Sequence, residues 1–233
     1  MADKLIVGAS GGVGAALMQE LRRQNPAARI LGTSRLGSDG LLSLDLNSEV
    51  SIKRFIDELE LLQFQPDQIL IATGLLHRDQ DGPEKSYREL SPEWLTEVMQ
   101  TNAIGPIYLL SRLITLLDRK AQTQIGVLSA RVGSISDNAL GGWYGYRASK
   151  AALNMYLKTL SIELSRTHKK VQILALHPGT TDTLLSKPFQ ARVPADKLFT
   201  PEFAAKALIN VMQKSEGSGS GQFLAWDGQS IPW

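Results

Sequence analysis

Lys4-Leu5-Ile6-Val7-Gly8-Ala9-Ser10-Gly11-Gly12-Val13-Gly14 leads from an apolar tetrapeptide through a glycine cluster into residues 15–24. The tetrapeptide has the length and character of a short buried strand, and Ala16, Leu17 and Leu21 recur at helical spacing beyond the glycines. Glycines between a strand and a helix permit a tight turn and let the backbone approach a pyrophosphate closely. The helix that follows then offers its free N–H groups and the positive end of its dipole to the phosphates. The stretch predicts a strand–turn–helix unit that binds a nucleotide, in preference to a plain flexible turn.

Outward from this unit the same rhythm continues. Strands are expected at 29–34, within 40–46, at 68–72, 124–129 and 171–176, the last ending at His177-Pro178-Gly179. A helix at 48–62 carries Ile52, Phe55, Ile56 and Leu59 at helical spacing, and a long helix is expected at 144–166. Residues 92–117 read as two helices, or as one bent near Gly105-Pro106. A Gly/Ser-rich loop at 215–221 precedes a last strand at 222–226, closed by an Asp227-Gly228 turn. The strands are apolar on both faces, which suits a parallel sheet covered by helices on both sides. The expected fold is α/β, a doubly wound parallel sheet in a single domain spanning 1–233, with no internal repeat and no low-complexity linker.

Composition narrows the function. The chain has 233 residues, 43% hydrophobic and 21% charged, enough for one sizeable core in a soluble protein. Its 25 basic and 23 acidic residues nearly balance, and no long basic run appears, which argues against a nucleic-acid partner. The absence of cysteine excludes disulfides, thiolate catalysis and cysteine-ligated metals. His77, His168 and His177 lie far apart without metal-ligand spacing, so no metal site is expected. No signal-peptide pattern follows Met1-Ala2-Asp3-Lys4 and no apolar run reaches membrane length, so a cytoplasmic location without a membrane partner is expected.

Tyr146 and Lys150 carry the strongest chemical signal. Four residues apart on a helix, they leave the same face one turn apart. A nearby ammonium favours the phenolate, which predicts a phenol pKa lowered from its free value of about 10. Such a tyrosine can exchange a proton with a substrate oxygen near neutral pH. Tyr144, six residues from Lys150, falls on another face and reads as a pocket wall. At the end of the second strand an acid would bind ribose hydroxyls and repel a 2′-phosphate, whereas an arginine would welcome it. Thr33-Ser34-Arg35 has no acid in reach, so Arg35 with the Ser34 hydroxyl favours NADP(H) over NAD(H).

In its ordered motifs the chain resembles the short-chain dehydrogenases/reductases. Residues 7–14 fit the family's Thr-Gly-x-x-x-Gly-x-Gly with Val7 in place of the threonine, and Tyr146 to Lys150 fit its Tyr-x-x-x-Lys. Asn102, in Thr101-Asn102-Ala103-Ile104-Gly105, resembles the family's helix asparagine, and Pro178-Gly179-Thr180-Thr181-Asp182-Thr183 its Pro-Gly segment. Segments 129–150 and 222–233 are similar to the small carbonyl-reductase branch called sniffer-like, which includes bacterial C-factor-type proteins. Departures are visible at three places. Ile71-Ala72-Thr73-Gly74 stands where the family has Asn-Asn-Ala-Gly, with Gly74 keeping room for the cofactor, and Gly11 stands where many NADP-dependent relatives carry a basic residue. Ser129 is followed by Ala130 rather than by the family's second serine, and Ser134 lies 12 residues before Tyr146. Either Ser134 reaches back from the loop or Ser129 acts from the strand end, and spacing favours Ser134.

The resemblance implies hydride transfer between a nicotinamide and a carbonyl or alcohol carbon. Tyr146 would donate or accept the proton, Lys150 would favour the tyrosinate, the serine would hold the substrate oxygen, and Asn102 would anchor a water. It further implies phosphate contacts from Gly8, Ser10, Gly11, Gly12, Val13 and Gly14, and adenine contacts from Asp45 and Leu46. Ala72, Thr73 and Gly74 would flank the cofactor, Pro178 and Gly179 would shape the site, and Thr181 and Thr183 would reach the nicotinamide amide and a nearby phosphate. Substrate loops are implied at about 75–90, where His77 opens a polar stretch through Gly82, and at 184–197. A homodimer or homotetramer packed through the two long helices is implied as well. The competing expectation is a cofactor-binding signalling or interaction protein of the C-factor type, with weak or no catalysis.

Overall fold

Alternating strand and helix segments assemble into one seven-stranded sheet in the computed structural model of the chain, which describes residues 3–78 and 83–233. In chain order the sheet takes β1 (Asp3–Val7), β2 (Arg29–Ser34), β3 (Leu42–Ser43), β4 (Pro66–Ile71), β5 (Thr123–Leu128) and β6 (Val171–His177). Two short strands, β7 (Thr180–Thr181) and β8 (Leu198–Phe199), pair with each other outside it, and β9 (Gln222–Ala225) completes the edge. Every neighbouring pair is parallel, in the order β3-β2-β1-β4-β5-β6-β9. The order reverses between β1 and β4, and in open α/β sheets ligands bind at the carboxyl ends of the strands beside such a reversal.

Period-two alternation explains the two layers of helices. Leu5, Ile69, Ile71, Ile125 and Ile173 face one side, where they pack on Phe55, Leu59, Leu109, Leu113, Leu153 and Leu157. These come from α2 (Glu49–Leu61), α4 (Gly105–Leu113) and α5 (Tyr144–Thr167). Ile6, Leu70, Leu174 and Leu176 face the other, against Leu17 and Leu21 of α1 (Gly12–Gln24) and Leu208 and Met212 of α6 (Pro201–Lys214). The remaining helix, α3 (Pro92–Met99), passes into a π turn over Gln100–Ile104 and then into α4 at Gly105-Pro106. The expected bend is therefore a π turn, a feature common at functional sites, and it carries Asn102.

Two of the differences from the sequence reading have local causes. The third strand shortens to two residues, because Asp45 leaves the sheet in a turn in which its Oδ1 accepts from Asn47 N at 2.9 Å. The sequence reading assigns no element at 201–214, where the structure has α6. Its signals are the Thr200 cap accepting from Phe203 N at 3.2 Å, Pro201 in the first turn, and buried Ala204, Ala205, Leu208, Ile209 and Met212. Trp143 enters α5 in the left-handed conformation, φ 54° and ψ 45°, so the helix begins without a side-chain cap of its own. That conformation costs a bulky residue roughly 1–2 kcal/mol. Residues 79–82 of the polar stretch lie outside the described residues, as do Met1 and Ala2. Among the described residues no helix is long and apolar enough to cross a membrane, and no acidic, histidine or cysteine cluster could hold a metal ion.

Candidate active site

A cavity of about 750 Å³ opens at the carboxyl ends of β1, β4, β5 and β6. Ser10, Gly11, Gly12 and Val13 line one part of it. Gly8 and Gly14 stand behind them and shape the turn. Gly8 has φ +84°, and a Cβ on Gly14 would overlap the Gly8 carbonyl oxygen, so only glycine fits there. Gly11 caps α1 without a side-chain hydrogen bond, and no acid occupies the first turn. The free N–H groups and positive dipole end of α1 therefore face the cavity, a setting suited to phosphate.

Ala72, Thr73 and Gly74 follow β4 along the floor, and Pro178, Gly179, Thr181 and Thr183 follow β6 along the far wall. Thr73 Oγ1 and Thr181 Oγ1 are buried with no hydrogen-bond partner among the described residues. An unmet buried hydroxyl costs about 1–3 kcal/mol. Two such groups in one cavity, beside a glycine turn and a helix N-terminus, match the hydrogen-bonding edges of a dinucleotide, so the residues present fit that class of cofactor.

The adenosine candidates lie along the same crevice but outside the cavity wall. Leu44 N donates to Ser34 O at 2.8 Å, which brings Asp45 and Leu46 beside the end of β2. Ser34 Oγ accepts from Gly37 N at 3.0 Å, Asp45 serves its own turn, and Leu46 is buried. Arg35 is exposed at the end of β2 and makes no ion pair among the described residues.

Tyr146, Lys150 and Ser129 all border the cavity. Burial pushes the Tyr146 phenol up to about 12 and the Lys150 ammonium down to about 8. This corrects the expectation of a lowered phenol pKa. Lys150 Nζ sits 5.8 Å from the Tyr146 ring centre, yet the low-dielectric surroundings disfavour both charged forms. The ammonium donates instead to Leu128 O at 2.9 Å, at the end of β5.

The two serines separate clearly. Ser129 lines the cavity, and its hydroxyl donates to Asn154 Oδ1 at 2.6 Å. Ser134, favoured on spacing, is fully buried away from the wall, where its Oγ accepts from Asp137 N at 3.1 Å. The short 3-10 turn Arg131–Gly133 folds the chain back before Ser134 can reach the strand end, so spacing alone misleads. Asn102 is completely buried and does not border the cavity. Its Oδ1 accepts from Leu75 N at 2.7 Å, and its Nδ2 donates to Leu75 O at 2.8 Å and to Ser149 Oγ at 3.0 Å. It thus ties the loop after β4 to α5. Tyr144 is exposed and forms no wall; its neighbour Trp143 does.

Several wall residues were not among the sequence candidates. Trp143, Phe189, Leu76, Leu184 and Val132 make an apolar end, with Trp143 and Phe189 ring centres 5.0 Å apart. His77 joins the two implied substrate loops: its Nε2 lies 3.2 Å from Leu184 O, and its ring meets Phe189 edge-on at 5.8 Å. His177 also lines the cavity. Burial, aided by the Arg131 charge, pushes it down to about 4, so it is neutral at pH 7. Aromatic residues flanking Pro-Gly and Tyr-x-x-x-Lys segments were the available signal, but aromatics are as often core as pocket.

Comparison with known proteins bears on the same residues. The sequence pattern of the short chain dehydrogenase family matches residues 4–193. The 1-hydroxy-2-glutathionyl-2-methyl-3-butene dehydrogenase of Rhodococcus sp. (strain AD45) is 29% identical over 239 residues, covering 100% of both chains. The C-signal of Myxococcus xanthus is 34% identical over 132 residues, 57% of this chain and 74% of its own. A short-chain dehydrogenase/reductase structure from Burkholderia multivorans with bound NADP superimposes with a TM-score of 0.83 at 25% identity, over 100% of this chain and 99% of that one. The carbonyl reductase Sniffer of D. melanogaster shares the fold, with a TM-score of 0.84 at 21% identity over 100% of both chains.

Proposed function

The chain belongs to the short chain dehydrogenase family, and from that premise we propose that it is an NADP(H)-dependent reductase of carbonyl compounds, or the corresponding alcohol dehydrogenase. The observation that carries the reading is the meeting of Tyr146, Lys150 and Ser129 with a glycine-turn phosphate cradle and two unpartnered threonine hydroxyls in one cavity. NADP(H), when bound, supplies or accepts the hydride.

The chain's own residues handle the oxygen and its proton. The Ser129 hydroxyl, at the end of β5, turns from Asn154 Oδ1 to donate to the substrate oxygen when a carbonyl compound binds. The Tyr146 hydroxyl donates its proton to that oxygen as the carbonyl carbon is reduced, and takes it back in the oxidising direction. Lys150, as the ammonium below its pKa near 8, stabilises the tyrosinate left behind, and a proton passed from it then restores the phenol. Gly11, Gly12 and the α1 N-terminus hold the pyrophosphate, Thr181 and Thr183 hold the nicotinamide end, and Arg35 with Ser34 meets the 2′-phosphate. The apolar end formed by Trp143, Phe189, Leu76, Leu184 and Val132 suits a carbonyl compound with apolar substituents. Leu76 after β4 and Leu184, Leu185 and Phe189 of the 184–197 segment form its walls and lid.

A homodimer packed through α4 and α5 belongs to the same reading, because α5 exposes Met155, Tyr156 and Ile162 along its outer side. So does a cytoplasmic location. The decisive test is direct: purified protein is titrated with NADPH and NADH by fluorescence, then assayed against aldehydes, ketones and quinones by nucleotide absorbance. Failure to bind either nucleotide would end this reading. The similarity to the C-signal supports a second reading, a cofactor-binding signalling protein, under which Tyr146→Phe would leave the biological role intact.

A further inference from the structure

Glu84 is a buried acid that the mechanism above does not use. It lies in the loop after β4, only 3% exposed, far in sequence from α5, whose first turn it touches twice. Gly145 N donates to its Oε2 at 3.1 Å, and Trp143 N donates to its backbone oxygen. Its other carboxyl oxygen, Oε1, is buried without a partner among the described residues, and a Cβ on Gly145 would come within 2.9 Å of it. The side chain is therefore wedged against a glycine one residue before Tyr146.

We propose that Glu84 is a positioning residue for the reaction: by capping the bare start of α5 from another loop, it fixes where Trp143 and the Tyr146 hydroxyl stand in the cavity. The proposal rests on the reading of Tyr146 as the proton donor. Three observations converge on it. Trp143 begins the helix in the left-handed conformation and supplies no side-chain cap, so the cap comes from elsewhere. Its backbone N–H is held by Glu84 O while its ring meets the Tyr146 ring at 6.3 Å and the Phe189 ring at 5.0 Å, so one loop sets both the wall and the donor. From the other side, Arg147 Nε donates to Gly142 O at 2.9 Å, so the turn into the helix is held at two points. A hydroxyl that must meet a substrate oxygen at hydrogen-bond distance tolerates little slack, since a displacement of about 1 Å can cost about 100-fold in rate.

The test uses Glu84→Ala, Glu84→Gln, Gly145→Ala and Tyr146→Phe, each assayed per NADPH-binding site so that unfolded protein is not counted. Glu84→Ala is expected to lower kcat about tenfold or more while the NADPH affinity stays within about twofold. Glu84→Gln keeps an acceptor for Gly145 N and should recover kcat to within about threefold of wild type. Gly145→Ala puts a Cβ within 2.9 Å of Glu84 Oε1 and so displaces the carboxyl group, and kcat per NADPH-binding site should fall. The last variant covers the case in which Glu84→Ala does not fold. Wild-type kcat in Glu84→Ala or Gly145→Ala, or a Gln variant as slow as the Ala variant, would overturn the proposal. Full turnover in Tyr146→Phe would instead overturn the proton-donor reading, whatever the Glu84 variants do.

Discussion

The two ends of the parallel sheet treat buried polar groups in opposite ways. At the amino ends of the strands, Gln124 and Gln172 pair across β5 and β6. Gln124 Nε2 donates to Gln172 Oε1 at 2.8 Å and to Met212 O at 2.9 Å, and Gln172 Nε2 donates to Ser215 O at 2.6 Å and Gly219 O at 2.7 Å. Asp3, almost fully buried, accepts from Arg29 and from Gln65 N. At the carboxyl ends, the Thr73 and Thr181 hydroxyls have no partner among the described residues, Tyr146 is buried with a raised pKa, and Lys150 donates to Leu128 O. A buried polar group is stabilising only when its partners are supplied. Where the sheet's task is to hold together, the chain supplies them itself. Where they are missing around the cavity, a ligand is expected to complete the set.

The largest effect expected from this contrast is on turnover. Tyr146→Phe removes the proton donor and should lower kcat by about 10²–10⁴-fold. Because the hydroxyl makes no hydrogen bond among the described residues, the melting temperature should stay level or rise. A variant that melts earlier and retains kcat would assign Tyr146 to structure and break the contrast. At the other end of the sheet the reverse holds. Asp3→Ala should cost about 2 kcal/mol in urea unfolding, since it leaves Arg29 and Gln65 N without their acceptor, while kcat per folded molecule is unchanged. The cost stays below that of a fully buried ion pair because Arg29 is 43% exposed. Although burial opposes it, hydrogen bonding to Arg29 and Gln65 holds the Asp3 carboxyl below its ordinary 3.8. This stabilisation is therefore present above pH 3.8 and is lost as pH falls through the lowered folded value.

Lys150 offers a smaller but sharper test, because its sign is the opposite of an ordinary structural contact. Folding lowers its pKa from 10.5 to about 8, which is about 3 kcal/mol against the buried ammonium at most. Lys150→Met removes that cost but strands Leu128 O, so a net gain of about 1–2 kcal/mol at pH 7 is expected, together with loss of turnover. In the wild type, both states hold the proton below about pH 8. Between about 8 and 10.5 only the unfolded chain holds it, so this contribution to stability rises with pH. Tyr146 acts with the other sign: between 10 and about 12 the unfolded phenol ionises first, and stability falls as pH rises. Chemical denaturation from pH 7 to 11 should show the rise in the wild type and not in Lys150→Met. A flat wild-type curve across pH 8–10 would count against the buried ammonium.

Much of this architecture was legible because it rests on local, periodic signals. β2 appears with the expected bounds, and the long helix α5 within one residue of them. The glycine turn and the Tyr146–Lys150 face follow from short-range geometry, and the structure brings them to one cavity. What could not be read depends on how far the chain folds back. Ser134 is displaced from the wall by a three-residue 3-10 turn that carries no strong sequence mark. Burial outweighing a neighbouring charge at Tyr146 is a property of the whole cavity rather than of the Tyr-x-x-x-Lys spacing. Glu84 is far in sequence from the helix it caps, and nothing local to either segment announces the pairing. α6 did have a Thr-Pro-Glu start and an apolar stripe, so its omission reflects an overlooked signal rather than a silent one.

Arg35 sharpens the contrast from a third position, the exposed rim of the cofactor crevice. It is charged, solvent-facing and free of any ion pair among the described residues, so it contributes little to the fold. Its removal should leave stability within about 0.5 kcal/mol, as surface changes usually do. A guanidinium that meets a 2′-phosphate through charge-assisted hydrogen bonds is worth more than an exposed pair, on the order of 1.5 kcal/mol, or about tenfold in affinity. Arg35→Asp should accordingly weaken NADPH binding by tenfold or more, the exact factor depending on salt, while NADH binding holds or improves because the new acid can accept from the ribose hydroxyls. Fluorescence titration of both nucleotides at two salt concentrations separates the outcomes. If NADPH and NADH weaken equally, Arg35 acts as a general attractor of phosphates and the 2′-phosphate is read elsewhere, with the Ser34 hydroxyl the next residue to test.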